Sequence, residues 1–375
     1  MTWNMPNAEK IGVLHLIDSL QAGGAERVAV NLVNNLPRNQ FKPHLCVTRQ
    51  SGPLESQLAA DVNLLILNRR SRWDIGAVLR LIAYIQKNDI QILHAHSSSL
   101  FIAKVASTFT KCRLIWHDHL GGGTQGRNEF IYRIFIQNIN AIFSVTHQLA
   151  EWAHAKLGTQ ENRIFVLSNF IVPPTSVPKP IILPGSIGYR VVCVANIRPP
   201  KDQLNLLYAF QLVVNQQESA HLLLVGEPID PNYSRQIMAE VENLNLQDHV
   251  SWLGGRDDVP QLLASCDIAV LNSISEGFPL TLLEYGWAGL PVVATQVGEC
   301  AAILDEGSAG LLVPPGDPQA MASKIVLLLS DIQMRQEYGT ALKMRVQAEY
   351  SVETIIQKIS NVYQSILQDK EPIIL

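Results

Sequence analysis

The sequence lacks the features that mark secreted, membrane-spanning and disulfide-stabilised proteins. Its five cysteines are scattered, odd in number and without a CxxC pair, which argues against disulfides and structural zinc and favours a reducing compartment. No stretch approaches the roughly 20 apolar residues of a membrane-spanning helix. The stretch MTWNMPNAEK does not begin with basic residues as a signal peptide does. We therefore expect a cytoplasmic protein.

Signals for two common nucleotide sites and for nucleic acid are weak or missing. The glycine turn after the first apolar run does not match GxGxxG, and GxxxxGK[ST] occurs nowhere, so we expect neither a nicotinamide site nor a P-loop. The pI near 6.2 and the lack of a basic helix interleaved with aromatic residues disfavour nucleic acid as a partner.

The length and the spacing of apolar runs predict two α/β domains. A chain of 375 residues exceeds one typical core. Residues 168–185 contain five prolines and no periodic pattern, which indicates a linker. Seven short apolar runs before this segment and six after it alternate with helical patterns, so each half is predicted to form a parallel sheet. We place the domains at 1–172 and 186–355.

The charge is unevenly divided between the halves. Residues 1–180 hold 18 Lys and Arg against 11 Asp and Glu, a net charge of +7, and the remainder carries −11. This asymmetry predicts that the first half faces an anionic surface, either phospholipid or a phosphorylated acceptor. The candidate basic residues are Arg69, Arg70, Arg72, Lys104, Lys111 and Arg113. A solvated basic face without a partner is the alternative.

The stretch EGFPLTLLE at 276–284 places two acids around the start of a predicted helix. A strand is predicted over Ile268–Leu271, and Pro279 suits the first position of a helix that runs to about Ala288. Glu276 therefore belongs to the loop at the carboxyl end of a strand, where open α/β sheets bind ligands.

The same stretch predicts an anion site between its two acids. Unpaired N–H groups around Gly277, Phe278 and Leu280, together with the helix dipole, attract an anion. Glu284 lies about a turn and a half inside the helix. An anion flanked by two carboxylates that accept hydrogen bonds from hydroxyls fits a sugar phosphate or a nucleotide sugar. A capped helix with two solvated glutamates is the alternative.

Two further loops carry groups that suit phosphates. Gly23 and Gly24 form a turn that opens a helix, which makes a second anion-accepting N-terminus. Arg198 and Lys201 follow another predicted strand and suit a diphosphate, whose departure they would stabilise in place of a divalent metal. Glycines kept for packing and surface salt bridges are the respective alternatives.

Histidines end two predicted strands. In WHDH, His117 and His119 stand together, but a metal site needs three or four ligands and the sequence shows no others beside them. We therefore predict no metal, and we expect His117 to bond a sugar hydroxyl or the developing charge. For His94 and His96 we expect a structural role.

Taken together, these motifs resemble those of retaining glycosyltransferases of the GT4 family. That family has the GT-B fold, in which two Rossmann-like domains with parallel sheets face a central cleft. The matching motifs are GGAER at 23–27, WHDH at 116–119, NIRPPKD at 196–202, LLVGE at 223–227, WLGGRDDV at 252–259, EGFPLTLLE at 276–284 and GLLVPPGD at 310–317.

The resemblance implies a set of donor-site residues, mostly in the second domain. Glu284 would bond the ribose and Glu276 the donor hexose, while the loop at 254–256 would border the base. The implied donor-binding residues are Gly23, Gly24, Arg198, Lys201, Gly254, Gly255, Arg256, Glu276, Gly277, Phe278, Pro279, Leu280 and Glu284. The implied catalytic residues are His117, Glu276, Lys201 and Arg198. The family's arginine position is Asn196 here, which leaves open whether Arg198 replaces it.

The resemblance also implies a reaction. A hexosyl group would pass from a UDP- or GDP-sugar to a polysaccharide or lipid-linked glycan, with retention and with neither a metal nor another cofactor. An amphipathic helix is predicted from about residue 351, and the resemblance implies that residues after about 355 pack on the first domain. A nucleotide-sugar epimerase and a non-catalytic nucleotide-sugar-binding protein are the alternative functions.

Overall fold

The computed structural model describes residues 10–21, 23–72, 74–119, 126–174 and 176–368. Within these residues the chain divides into two compact units. The first unit takes the described residues up to Asn169 together with those from Val352 onward, and the second takes Phe170–Ser351. Among the described helices, none combines the length and the apolar character that crossing a membrane requires.

The first unit is built on a parallel sheet of seven described strands, each of which coincides largely with an apolar run identified from the sequence. They are β1 (Ile11–Ser19), β2 (Phe41–Gln50), β3 (Asn63–Ile66), β4 (Ile90–His96), β5 (Arg113–Asp118), β6 (Ala141–Ser144) and β7 (Ile164–Val166). Their order in the sheet is β3-β2-β1-β4-β5-β6-β7. The central strands are buried along almost their whole length, as expected for strands covered on both faces.

Helices connect these strands. Those described before the linker are α1 (Gly24–Asn35), α2 (Ile75–Lys87), α3 (Leu100–Thr108), α4 (Glu129–Phe135) and α5 (His147–Ala155). Asp74 and Thr146 cap α2 and α5 by accepting hydrogen bonds from backbone N–H groups in the first turn. The helix starts are therefore set by local sequence, while the apolar faces dock on the sheet.

The second unit has a parallel sheet of six described strands. They are β8 (Arg190–Val194), β9 (His221–Val225), β10 (Val250–Trp252), β11 (Ile268–Leu271), β12 (Val292–Thr295) and β13 (Leu311–Val313). Their order is β10-β9-β8-β11-β12-β13. The chain moves outward from β8 in one direction and then returns to β11 on its other side. This reversal opens a crevice at the carboxyl ends of β8 and β11, the usual ligand position in such sheets.

Seven α-helices are described in this unit. They are α6 (Gln203–Val214), α7 (Pro231–Asn243), α8 (Val259–Leu263), α9 (Leu280–Ala288), α10 (Cys300–Ile303), α11 (Pro318–Ser330) and α12 (Ile332–Glu349). The expectation that Pro279 opens α9 is wrong by one residue, because Pro279 has extended backbone angles and the helix begins at Leu280. Gly289 ends α9 with a φ of 76°, a left-handed conformation that glycine adopts readily.

The last described helix, α13 (Val352–Leu367), belongs to the first unit although it follows the second in sequence. Its buried residues include Ile359 and Tyr363, and the Tyr363 ring meets Phe41 of β2 edge to face at 5.7 Å. The helix thus returns the chain to the first sheet, where the buried Tyr363 hydroxyl meets histidines.

Candidate functional site

The loops that follow β8 and β11 lie side by side at the reversal point of the second sheet. Ile274 donates a backbone hydrogen bond to the Pro200 carbonyl at 2.9 Å. The Asn272 side chain donates to the Asp202 carbonyl at 2.7 Å, and Asp202 has a φ of 50°. These bonds turn the loop after β8 toward the loop after β11 and bring their charged side chains together.

Lys201 and Glu276 form an ion pair at this point. Lys201 Nζ lies 2.5 Å from Glu276 Oε1, and the Ser273 hydroxyl donates to the same oxygen at 2.6 Å. The two charged side chains are only 19% and 11% exposed, so water screens the pair poorly. Both bonds go to Oε1, which leaves Oε2 without a hydrogen-bond partner among the described residues.

Gly298 holds the loop that starts at Glu276. A Cβ at this position would lie 2.3 Å from the Glu276 carbonyl oxygen and 2.5 Å from that of Gly277, and φ is 52°. The next residue, Glu299, donates its backbone N–H to the Gly277 carbonyl at 2.9 Å. Gly298 is therefore a supporting residue that the sequence analysis missed. The signal for it was a glycine three residues after the end of a predicted strand.

The N-terminus of α9 has unpaired donors. Its N-cap residue Pro279 contributes no side-chain cap, and the N–H groups of Gly277, Phe278 and Leu280 have no acceptor among the described residues. The helix is fixed beneath them, because the Tyr285 hydroxyl accepts from the Val194 N–H at 2.7 Å. Donors that point from a rigid helix start form an anion site.

Glu284 lies on α9 at the wall of a cavity of about 620 Å³. The cavity is bounded by the proline-rich segment that opens the unit and by α8, α9 and α12. Its lining residues include Val172, Val177, Val259, Pro260, Leu263, Glu284, Trp287 and Lys343. The walls are mostly apolar, with the Glu284 carboxylate and the Lys343 ammonium as charged groups. This combination suits a flat organic group attached to a polar one.

The predicted arginines do not join the ion pair. Arg256 forms two hydrogen bonds with Asp258, at 2.7 and 2.6 Å, beside Gly254 and Gly255. Arg198 is exposed and makes no side-chain hydrogen bond or ion pair with the described residues. Asn196 is structural, since its side-chain oxygen accepts from the Glu227 N–H at 3.1 Å.

In the first unit, the glycine turn before α1 is covered by an acid of the same chain. Gly23 is the N-cap of α1 and has no side-chain cap. The Glu26 carboxylate lies over it, since a Cβ on Gly23 would be 2.2 Å from Glu26 Oε2, and the Ser19 hydroxyl donates to Glu26 Oε1 at 3.3 Å. An anionic ligand at Gly23 and Gly24 would first have to move this carboxylate.

His117 lies in a cluster of five histidines on three neighbouring strands. The register pairs His15 of β1 with His94 of β4, and His96 of β4 with His117 of β5. His119 follows directly, and its ring stacks on that of His117 with centroids 3.9 Å apart. The expectation that no further ligands stand near His117 and His119 is wrong, because strand pairing supplies three.

The cluster is neutral, and all of it is buried except His119, which is half-buried. Burial lowers the pKa of His15 and of His119 to about 3, and holds the pKa values of His94, His96 and His117 well below their usual range. Neutral imidazoles are also the form that binds metals. Ring nitrogens within 4.8 Å of one another occur in two groups, one of His15, His94 and His96 and the other of His96, His117 and His119.

Two family models match the two units in turn. Residues 22–173 match the model described as Glycosyltransferase Family 4, and residues 187–345 match that described as Glycosyl transferases group 1. The chain belongs to the GT4 family of glycosyltransferases. Together the two matches span most of this GT4 chain.

Curated relatives and a solved structure extend the match over the chain. This protein is 26% identical to the N-acetyl-alpha-D-glucosaminyl L-malate synthase of Bacillus anthracis, over 79% of this chain and 80% of the relative. It is 21% identical to the UDP-Gal:alpha-D-GlcNAc-diphosphoundecaprenol alpha-1,3-galactosyltransferase of Escherichia coli, over 96% and 98%. The crystal structure of Anabaena Alr3699/HepE in complex with UDP-glucose matches 95% of this chain and 100% of that one, with a TM-score of 0.76 and 20% identity. The fold is thus GT-B.

Proposed function

We propose that this GT4 glycosyltransferase moves a hexosyl group from a UDP- or GDP-sugar to a polysaccharide or lipid-linked glycan precursor. We further propose that it retains the anomeric configuration and needs no metal ion. The observation that carries the donor assignment is the ion pair of Lys201 and Glu276 beside the unpaired N–H groups at the start of α9. A cation, a hydroxyl acceptor and an anion site then lie at one sheet edge.

Each part of a nucleotide sugar has a matching group there. The diphosphate would take the N–H groups before α9 and the Lys201 ammonium, which would stabilise the charge that builds as the diphosphate leaves. Hexose hydroxyls would donate to Glu276 Oε2, the oxygen without a described partner. The ribose would bond Glu284, and the base would lie toward the adjoining cavity.

Retention without a protein nucleophile fits the state of Glu276. Its Oε1 accepts from both Lys201 and Ser273, so the carboxylate is held as a hydrogen-bond acceptor. Its Oε2 is the oxygen that we assign to the hexose hydroxyls, so Glu276 would bind the ring rather than attack the anomeric carbon. We propose instead that the acceptor hydroxyl attacks from the face that the diphosphate leaves, which requires cationic stabilisation of the leaving group and no covalent intermediate.

The names of the relatives suggest which acceptors to test. The Escherichia coli relative is named for a lipid diphosphate acceptor, and the Bacillus anthracis relative for L-malate. We favour a lipid-linked acceptor because the first unit has exposed apolar side chains on adjacent helices. Phe109, just after α3, is 66% exposed and Phe130 of α4 is 71% exposed, and α3 contacts both α2 and α4.

A donor screen followed by product analysis tests this proposal. We expect the purified protein to be stabilised against heat by one UDP- or GDP-sugar. That donor should then yield an α-linked product with a glycan diphosphate lipid, in the presence of excess EDTA. Stabilisation by no nucleotide sugar would overturn the donor site. Loss of activity with EDTA that Mg²⁺ or Mn²⁺ restores would overturn the metal-free role of Lys201. Conversion of the donor without any acceptor would identify an epimerase.

A further inference from the structure

The five clustered histidines and Tyr363 form one unbranched chain of hydrogen bonds. Starting from His119, its Nε2 meets His96 Nδ1 at 2.8 Å, and His96 Nε2 meets His15 Nδ1 at 3.0 Å. His15 Nε2 then meets the Tyr363 hydroxyl at 3.2 Å.

The chain of hydrogen bonds continues from Tyr363 to His117. The hydroxyl meets His94 Nδ1 at 2.5 Å, and His94 Nε2 meets His117 Nδ1 at 3.1 Å. The two ends are His119 Nδ1 and His117 Nε2, which are buried and have no hydrogen-bond partner among the described residues. Every internal nitrogen of the chain is therefore paired, and only the ends are open.

Proton counting restricts how such a chain can be protonated. Each neutral imidazole carries one proton on one nitrogen and a lone pair on the other, and the tyrosine hydroxyl donates once. Six groups thus bring six protons to five hydrogen bonds. Each bond takes one proton. When the Tyr363 hydroxyl donates to one of its two histidine neighbours, the sixth proton lies at one end of the chain and the other end carries a lone pair.

The direction of donation then has to be the same along the whole chain. If His117 Nε2 has the lone pair, every one of the five histidines carries its proton on Nδ1. If His117 Nε2 carries the proton, every one carries it on Nε2. A mixed arrangement would face two lone pairs or two N–H groups across a buried contact, or would have the Tyr363 oxygen accept from both His15 and His94 with its own O–H left unpaired. Each of these leaves a buried polar group unsatisfied.

We propose that Tyr363 couples the five histidines into a single tautomeric unit, so that His117 Nε2 and His119 Nδ1 always have opposite roles, one donor and one acceptor. A ligand group that donates to His117 Nε2 selects the all-Nδ1 form, and a group that accepts from it selects the all-Nε2 form. The shift from the all-Nδ1 to the all-Nε2 form moves one proton across each of the five bonds, while one proton leaves His119 Nδ1 for solvent water and another reaches His117 Nε2 from the ligand or from water. With that exchange at the two ends, every group stays neutral. Tyr363 is a positioning residue in this scheme, since it acts through the histidines.

The two groups of three histidines could bind a metal only by giving up hydrogen bonds of the chain. A ligating nitrogen must offer its lone pair to the ion. In the chain, four of the five imidazole lone pairs already accept hydrogen bonds, and in the all-Nδ1 form only His117 Nε2 remains. A three-histidine metal site would therefore have to break the chain, which makes bound metal an outcome that the experiment can detect.

Nitrogen NMR of the full-length protein with ¹⁵N-labelled histidine rings reads the tautomers directly. At pH 7.5 we expect all five buried rings to be neutral and to show one common tautomer. Different tautomers within the five, a charged ring among them, or stoichiometric metal whose removal alters their signals would each overturn the proposal. This readout needs no substrate, so it stands or fails separately from the proposed hexosyl transfer.

Tyr363→Phe removes the one link that is not a histidine. It divides the chain into a piece with His119, His96 and His15 and a piece with His94 and His117. We expect a changed tautomer population in at least one piece, with native near-ultraviolet circular dichroism. Tyr84→Phe is the matched control, because its hydroxyl bonds His44 at 2.8 Å outside the chain. Unchanged histidine signals in a folded Tyr363→Phe variant would contradict the coupling. If that variant does not fold, the tautomers in the wild-type spectrum alone test the proposal.

Discussion

Lys201 Nζ lies 2.5 Å from Glu276 Oε1 and so joins the loop after β8 to the loop after β11. Lys201 ends the short 3-10 helix Pro199–Lys201, Glu276 lies in a loop, and 75 positions separate them in sequence. The contact exists because the sheet places β8 beside β11, so parallel strand ends bring both loops to one edge. A mostly buried pair of this kind is costly to break from one side, since the remaining charge loses its partner.

Replacing Lys201 with alanine should reduce the rate of transfer more than donor binding. The ammonium would stabilise charge that appears mainly as the diphosphate leaves, so kcat should fall by about 100-fold or more while KM changes little. Steady-state kinetics with the identified donor measures this. Lys179→Ala, at an exposed position of the linker, is the control and should behave as wild type. A rise in KM with kcat unchanged would assign Lys201 to ground-state binding.

Glu284→Ala should mainly weaken donor binding. Ribose contacts are present in the ground state and the transition state alike, so their loss raises KM with little change in kcat. Losing hydrogen bonds to a charged group corresponds to about 10- to 100-fold in affinity. Calorimetric titration with the nucleotide diphosphate gives this value directly. Glu242→Ala, on the exposed side of α7, is the matched control. Equal donor affinities for the two variants would show that Glu284 does not bind the donor.

Gly298→Ala should damage the loop that carries Glu276. The added Cβ would meet the carbonyl oxygens of Glu276 and Gly277, whereas Gly316, with a φ of 72°, has no atom within 4 Å of the same position. Both substitutions carry the cost of a left-handed alanine, about 1 kcal/mol. Only Gly298→Ala should also lose activity, as the clash displaces the ion pair. Urea unfolding with parallel activity assays separates these effects, and equal activity in both variants would contradict the supporting role of Gly298.

Lowering the pH should destabilise the protein at pH values that are still above the range in which carboxylates titrate. An unfolded histidine binds a proton below about pH 6.5, but burial holds the pKa of folded His15 and His119 at about 3. The unfolded state then binds more protons, so the free energy of unfolding falls as the pH drops below 6.5. The slope is up to about 1.4 kcal/mol per pH unit for each such histidine. Urea unfolding at pH 7.5, 6.5 and 5.5 measures the loss, and constant stability across this interval would contradict neutral burial.

Much of the fold follows from short-range sequence signals. The apolar runs from KIGVLHLID to GLLVPP each overlap one of the described strands, because a strand covered on both faces must be apolar along most of its length. The end of α9 at Gly289 was also predicted, since only a left-handed residue closes the helix there.

The parts that could not be predicted depend on pairing between distant strands. The histidine chain needs the register of β1, β4 and β5, and sequence spacing alone does not give it. Arg256 was expected near a ligand but pairs with Asp258 two residues away, a local contact that the motif comparison did not consider. The roles given to Glu276, Glu284, Lys201 and His117 in the reaction stay predictions.

The uneven charge leads to a membrane prediction that the structure refines. Arg69 is unsuited to binding lipid, since its side chain is 6% exposed and pairs with Asp18 at 3.0 Å. Arg70, Arg72 and Lys111 are exposed, and each cation near an anionic surface contributes about 1 kcal/mol within a Debye length of roughly 8–10 Å. The exposed aromatic rings described above would add apolar contact. We therefore expect reversible binding through the first unit.

Co-sedimentation with vesicles checks this expectation. Binding should require anionic phospholipid, weaken several-fold between low and high salt, and decline in Arg70→Glu and in Phe130→Ser. Ile182→Ser is the control for apolar loss, since Ile182 is fully exposed in the second unit. Because salt screens the charges but not the inserted ring, Phe130→Ser should lower binding at both salt concentrations, whereas Arg70→Glu should matter mainly at low salt. Binding that ignores lipid charge, or that Ile182→Ser weakens equally, would leave a water-soluble acceptor as the better hypothesis.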